Sequence, residues 1–186
     1  SQLGWQKHGF FAWSNGIYNG LFTDIDRHGI VNHEGRKYYL PALSDIYEKD
    51  DSLFMSERKF IHIKTGNISL NDFCIQLSNV FGDNAKIAVA FLMATLYRDL
   101  IVRRFNSFPI LNLFGPKGAG KTELAVSMMS FFGHQGKGPN INNTSKASLA
   151  DHVAQVRNAC VHIDEYKNSI EYEKIEFLKG LWDGTG

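Results

Sequence analysis

The sequence predicts an α/β fold, a parallel sheet with flanking helices, preceded by a small β-rich domain and a helical connector. Three observations predict it. Residues 1–66 are aromatic and β-branched runs cut by Asn-Gly, His-Gly and Glu-Gly pairs. Within 67–108 a serine cap signal at Ser69 is followed, from Ala85 to Arg104, by apolar residues at three- and four-residue steps. Over 109–186 short apolar runs alternate with amphipathic ones of helical length, the pattern of parallel strands covered by helices.

Taken in order, "GFFAWSNGIYNGLFTDI" (9–25) and "GIVNHEGRKYYLPAL" (29–43) read as short strands joined by tight turns. Pro41 and "SDIYEKDDS" then mark a turn or short helical connection. "KFIHIKTG" predicts one more strand, Lys59 to Lys64, ended by Gly66. "SLND" offers Ser69 as a helix cap with an acid three residues on, opening a helix through about Phe81. Gly82 stops that helix, and Asp83 can cap the next.

From Ala85 to Arg104, Ile87, Ala90, Phe91, Ala94, Tyr97 and Ile101 share one face, which predicts a single long amphipathic helix. Arg98, Arg103 and Arg104 fall on its polar side. Pro109 introduces a strand, Ile110–Phe114. A helix follows over Lys121–Phe132, then a short strand in "GPNINN" and a helix over Ser145–Arg157. A strand over Ala159–Ile163 and a helix over Ile170–Leu181 complete the series.

At 186 residues and 44% hydrophobic, the chain can bury a real core. Its formal charge of +1 sets up no field toward nucleic acid or an anionic membrane. Any nucleic-acid contact would be local. Cys74 and Cys160 lie far apart and form no CxxC pair, so reduced thiols are expected. No signal-peptide pattern and no uncharged apolar run near ~18 residues is present. The expectation is a soluble, cytoplasmic protein of a bacterial or phage-infected cell.

The chemistry concentrates in "GPKGAGKT": Gly115, Pro116, Lys117, Gly118, Ala119, Gly120, Lys121 and Thr122. It fits G-x-x-x-x-G-K-[ST] at every fixed position. A strand must end in a loop whose backbone N–H groups converge on phosphate oxygens. Glycines supply the backbone angles, and the next helix presents its positive end. Lys121 would reach the β- and γ-phosphates and the Thr122 hydroxyl would ligate magnesium. The bland alternative is a Gly-Pro turn that contains Gly-Lys-Thr by chance. The apolar run before the loop and the amphipathic run after it favour the phosphate reading.

A second stretch, "ACVHIDEY", ends an apolar run in two acids. Alternate side chains of a strand share a face, so Asp164 and Glu165 point in different directions. Asp164 would then orient the magnesium shell, and Glu165 would polarise the water that attacks the γ-phosphate. Lys121 and Glu165 are thus the candidate catalytic pair. The alternative is an acidic pair that simply ends a strand.

Together "GPKGAGKT" and "VHIDEYKN" resemble the ring-forming replicative helicases of the AAA+ class, closest to the superfamily-three and primase-associated helicases of phages and mobile elements. "IDEY" is also similar to the minichromosome maintenance helicases. "KIEFLKGLWDGTG" resembles the segment after the acidic motif in the primase-associated group, and "LGWQKHGFFAW" the leader region of bacterial proteins that carry such a domain. The resemblance implies an α/β P-loop NTPase core over 109–186, ATP and Mg2+ bound between subunits, and a homo-oligomeric ring, a hexamer by analogy. It further implies single-stranded or forked DNA as partner and a helicase motor in replication of a phage or mobile element. The family's polar sensor and arginine finger have no assigned counterpart in this chain, so the resemblance implies that 109–186 is a partial core and the chain a piece of a longer protein. Two rival functions stand beside it: a nucleotide-dependent switch or assembly ATPase that moves no DNA, and a small-molecule P-loop kinase.

Weaker features have bland readings. Trp5, Phe10, Phe11, Trp13, Tyr38 and Tyr39 could stack on single-stranded nucleic acid, but no basic run is interleaved with them, and a β-domain core is expected. His28, His33 and Glu34 lack a further metal ligand at a sensible spacing and are expected as surface turn residues. Arg103 and Arg104 suit a helix C-terminus; contact with nucleotide or a neighbouring subunit is the second reading. Thr144 or Ser145 caps the helix after "NINN", and Lys146 could touch DNA.

Overall fold

The computed structural model describes residues 2–50, 52–64, 66, 68–133, 136–167 and 169–183. Its N-terminal part is an antiparallel meander: β1 (Leu3–Gln6), β2 (Phe10–Trp13), β3 (Gly16–Tyr18) and β4 (Phe22–Asp24). The period of two decides the faces. Phe10, Ala12 and Ile17 turn inward and are buried, while Tyr18 stays exposed. A separate hairpin, β5 (Ile30–His33) with β6 (Arg36–Tyr39), turns at Glu34 and Gly35, both left-handed at φ 49 and 75. That is the turn geometry whose twist matches paired strands.

The fifth strand of the meander comes from far along the chain. β7 (Val156–Arg157) runs parallel to β1, with Leu3 opposite Val156 and Gly4 opposite Arg157, giving the order β4-β3-β2-β1-β7. Gly4 makes this approach possible. A Cβ there would lie 2.0 Å from the Arg157 carbonyl oxygen, at a φ of +85 that L side chains avoid. The sequence predicts helix through Arg157. Instead α5 (Lys146–Ala154) stops short, because Val156 and Arg157 find a ladder partner in β1.

The connector forms α1 (Leu70–Phe81), α2 (Asp83–Leu96) and α3 (Arg98–Phe105). The Ser69 hydroxyl accepts from the Asp72 N–H at 3.1 Å, the capping interaction expected there. The single long helix expected over Ala85–Arg104 is broken at Tyr97 (φ −113, ψ 19). Asn158 explains the break. Its Nδ2 donates to the Leu96 carbonyl at 3.0 Å and to Asp99 Oδ1 at 2.6 Å, and its Oδ1 accepts from the Asp99 N–H at 3.3 Å. One buried amide therefore finishes α2 and starts α3.

After the connector come α4 (Lys121–Met129), prolonged by a 3-10 turn to Phe132, then α5 and α6 (Tyr172–Asp183). The segments expected as strands, Ile110–Phe114 and Ala159–Ile163, belong to no ladder among the described residues. Among the described residues, a parallel bridge from Asn140 to Asp164 joins two segments of this region, and an antiparallel bridge from Gly133 to Phe60 ties it to the N-terminal part. The observed five-stranded sheet is thus mixed, and four of its strands are N-terminal. Lys59–Lys64 also lacks a ladder. A 3-10 turn covers Glu57–Lys59, and the Asn15 side chain stands in for a strand by pairing with both the N–H and the carbonyl of His62, each at 2.9 Å.

One core crosses the expected divisions at 66 and 108. Leu3, Phe10, Ile17, Phe60, Leu77, Leu92, Leu124 and Phe132 belong to it, and Trp13, Phe60 and Phe132 stack in its centre at 4.8 and 5.5 Å between rings. Phe10, Phe11, Trp13 and Tyr38 are core or packed on it, whereas Trp5 and Tyr39 remain exposed. A second, smaller core joins Ile141, Leu149, Ile170 and Phe177 under α5 and α6. His33 is not a surface turn residue: it is 9% exposed, Nε2 donating to the His8 carbonyl at 3.2 Å and Nδ1 accepting from Asn19 at 3.3 Å. Both cysteines are free thiols. No described helix is long and apolar enough to cross a membrane.

Candidate nucleotide site

The loop 115–120 leaves the extended segment 109–114 and feeds α4. Gly118 and Gly120 are left-handed, at φ 82 and 78, which glycine adopts without cost. A Cβ at Gly118 would meet nothing within 4 Å, so only the backbone angle demands glycine there. At Gly120 it would also meet Phe81 at 3.0 Å. The end of α1 thus lies against the loop.

α4 begins at Lys121, and its first intrahelical bond is from Leu124 N–H to the Gly120 carbonyl at 2.9 Å. The N–H groups of Lys121, Thr122 and Glu123 take no acceptor among the described residues. They are the unsatisfied donors of a helix start, at the positive end of its dipole. Lys121 lies back across the loop, its Nζ donating to the carbonyls of Gly115 at 2.9 Å and Pro116 at 2.8 Å. Three free N–H groups and an ammonium around an open, mostly exposed glycine loop fit a phosphate group. Pro116, Lys117, Gly118 and Ala119 face solvent. So does Phe114, which is 95% exposed at the loop entrance.

The acids occupy a different cluster. Asp164 is held as a strand residue would be: its N–H donates to the Pro139 carbonyl at 2.9 Å and its carbonyl accepts from Ile141 N–H at 3.0 Å. Its Oδ1 accepts from the Glu165 N–H at 3.0 Å and lies 4.0 Å from His162 Nε2. Glu165 itself is left-handed at φ 62, and its carbonyl accepts from Asn142 Nδ2 at 2.6 Å. Its side chain is exposed.

Burial holds His162 below its ordinary pKa, reinforced by His152 and Lys137, while Asp164 pulls the other way. The neutral ring accepts from the Gly138 N–H at Nδ1 (3.0 Å), so its proton sits on Nε2, toward Asp164. His152, also lowered by burial, donates from Nε2 to the His162 carbonyl at 3.1 Å. No hydrogen bond or ion pair among the described residues joins 115–122 to 164–165. Nor does any group of three His, Cys, Asp or Glu there form a metal cage. The Thr122 hydroxyl alone fits as a direct magnesium ligand beside phosphate oxygens and water.

A cavity of about 390 Å³ lies elsewhere. Its floor is Leu3, Phe60, Met129 and Cys160, and its walls carry Lys59 and Lys137 against Glu57 and Asp151. Burial pushes the Cys160 thiol up to about 11, so it is inert as a nucleophile at neutral pH. None of the loop residues 115–122 lines this cavity, and its balanced charges do not select a triphosphate.

The structure adds Phe81, Asn142, His162 and Lys174 to the surroundings of the loop and the acid pair. Only His162 carried a local signal, a histidine inside an apolar run two residues before an acid. Comparison with family models, with curated proteins and with solved structures finds no match to this chain.

Proposed function

We propose that this chain binds ATP on the 115–122 loop and hydrolyses it, as the motor part of a DNA helicase. One observation supports the reading above others: at the start of α4 the N–H groups of Lys121, Thr122 and Glu123 have no acceptor among the described residues, and the Lys121 ammonium lies back across the same loop. Lys121 would exchange its two carbonyl partners for β- and γ-phosphate oxygens. Thr122 would hold magnesium, which when bound neutralises those oxygens, and Asp164 would orient the water around it. Glu165 would take the proton of the attacking water. The helicase part rests on the resemblance of "GPKGAGKT" and "VHIDEYKN" to the AAA+ and superfamily-three class; a ring of copies and single-stranded DNA as track come with it.

Phosphate release by the protein, with and without single-stranded DNA, tests both levels. Lys121→Ala should lower turnover by about 10²–10³-fold, and Glu165→Gln should bind ATP without turnover. Stimulation by DNA supports the motor. Turnover indifferent to DNA at every salt concentration replaces it with the switch or assembly ATPase, and phosphate passed to a small acceptor instead of water replaces it with the kinase.

A further inference from the structure

A non-glycine residue in the left-handed region costs free energy that its surroundings must offset. Five described residues have such a φ, and Glu165 is the one that also stands as the candidate base. Two bonds hold it in that state. Its N–H is turned onto Asp164 Oδ1 at 3.0 Å, and its carbonyl is taken by Asn142 Nδ2 at 2.6 Å.

Asn142 is in turn fixed from three sides. Its own N–H and Nδ2 both donate to Asn140 Oδ1, at 2.9 and 3.1 Å. Its carbonyl accepts from Lys174 Nζ at 3.4 Å. Lys174 is 4% exposed, an unusual state for a lysine, and its Nζ also lies 3.5 Å from the Glu171 carboxylate. A chain of contacts thus runs from α6 through Asn142 to the backbone of the acid pair.

We infer that Asn142 is a positioning residue for Glu165, with Lys174 anchoring it to α6. The inference rests on the proposed hydrolase reading. Asn142 touches neither nucleotide nor water in this scheme; its amide fixes the peptide that aims the Glu165 carboxylate. Losing it lets residue 165 relax toward ordinary backbone angles, which swings the side chain away from the direction Asp164 and the bridge to Asn140 define. An aspartate of the same shape cannot serve, because it has no N–H to give the carbonyl.

The test uses the unsubstituted protein and the variants Asn142→Ala, Asn142→Asp and Glu165→Gln. Two readouts run in parallel: ATP turnover with nucleotide affinity, and amide hydrogen exchange over 164–166. Asn142→Ala and Asn142→Asp should each cut kcat about tenfold or more, leave ATP affinity within about twofold, and speed exchange at 165. An unchanged exchange rate at 165, or an equal loss of affinity and kcat, overturns the positioning role even if the protein is an ATPase. No turnover by the unsubstituted protein removes the hydrolase reading itself, whereas unaltered turnover by Glu165→Gln, with exchange at 165 still quickened by Asn142→Ala, leaves an ATPase and removes Glu165 as its base. The clamp would then be structural only, and the inference falls on that ground.

Discussion

Replacing Gly120 by alanine probes whether the connector and the phosphate loop are in contact. Two costs are separable. An L residue at φ 78 costs roughly 1–2 kcal/mol in backbone strain. The new Cβ would also lie 3.0 Å from the Phe81 ring, where carbon atoms prefer ~3.5–4.0 Å. Moving the ring off its rotamer costs about 0.5–1.5 kcal/mol more. Gly118→Ala is the internal control, because φ there is 82 and the Cβ would meet open space. Gly120→Ala should therefore destabilise by about 0.5–1.5 kcal/mol more than Gly118→Ala. For a chain of this length that is an additional fall in Tm of roughly 1–6 °C. Thermal unfolding by circular dichroism measures it. Phe81→Leu, made alone and with Gly120→Ala, closes a double-mutant cycle in which the excess should vanish. Equal Tm values for the two glycine variants, with zero coupling to Phe81, would refute the packing of α1 on the loop.

Two further perturbations follow from buried polar groups. Asn158→Ala strips the Leu96 carbonyl and the Asp99 N–H of a partner at a residue only 4% exposed, and should cost about 1–3 kcal/mol in chemical denaturation; a loss under about 0.5 kcal/mol contradicts its role at the helix break. His152 is held below the ordinary histidine value of 6.5 by burial, against the smaller opposing effect of its bond to the His162 carbonyl. The unfolded chain then binds the proton more readily, so the stability present above pH 6.5 is lost as pH falls through the lowered folded value. Urea midpoints between pH 7.5 and pH 5 should drop, and less steeply in His152→Gln. A flat profile in the parent would show that burial leaves this ring unperturbed.

Features decided by neighbours along the chain were readable in the sequence. Ser69 caps α1 because the residue it bonds is three positions away. Gly118 and Gly120 announce the loop because the angles they supply are their own. Ser145 caps α5 for the same reason, accepting from the Ser148 N–H at 3.1 Å. What escaped depends on partners far along the chain. Apolar periodicity runs unbroken through Tyr97, and only Asn158 interrupts it. Val156 and Arg157 extend a helical pattern until β1 offers a ladder. Ile110–Phe114 and Ala159–Ile163 carry strand composition, but composition alone names no partner. At the site, the loop residues were legible and Asn142 was not, since a small polar residue before a helix serves a cap or a distant carbonyl equally well.

The pairing of β7 with β1 decides how this molecule can be taken apart. A fragment beginning after residue 66 leaves Val156 and Arg157 with bare backbone donors and acceptors, and it also uncovers Met129 and Cys160, which share a cavity lining with Leu3. Such a piece carries a sticky border wherever it goes. A preparation of the loop and acid pair without the first strand is thus expected to self-associate through that border. Any ring or filament it forms would report the missing strand rather than the assembly of the parent, so oligomers should be sized on protein that retains Leu3 through Gln6.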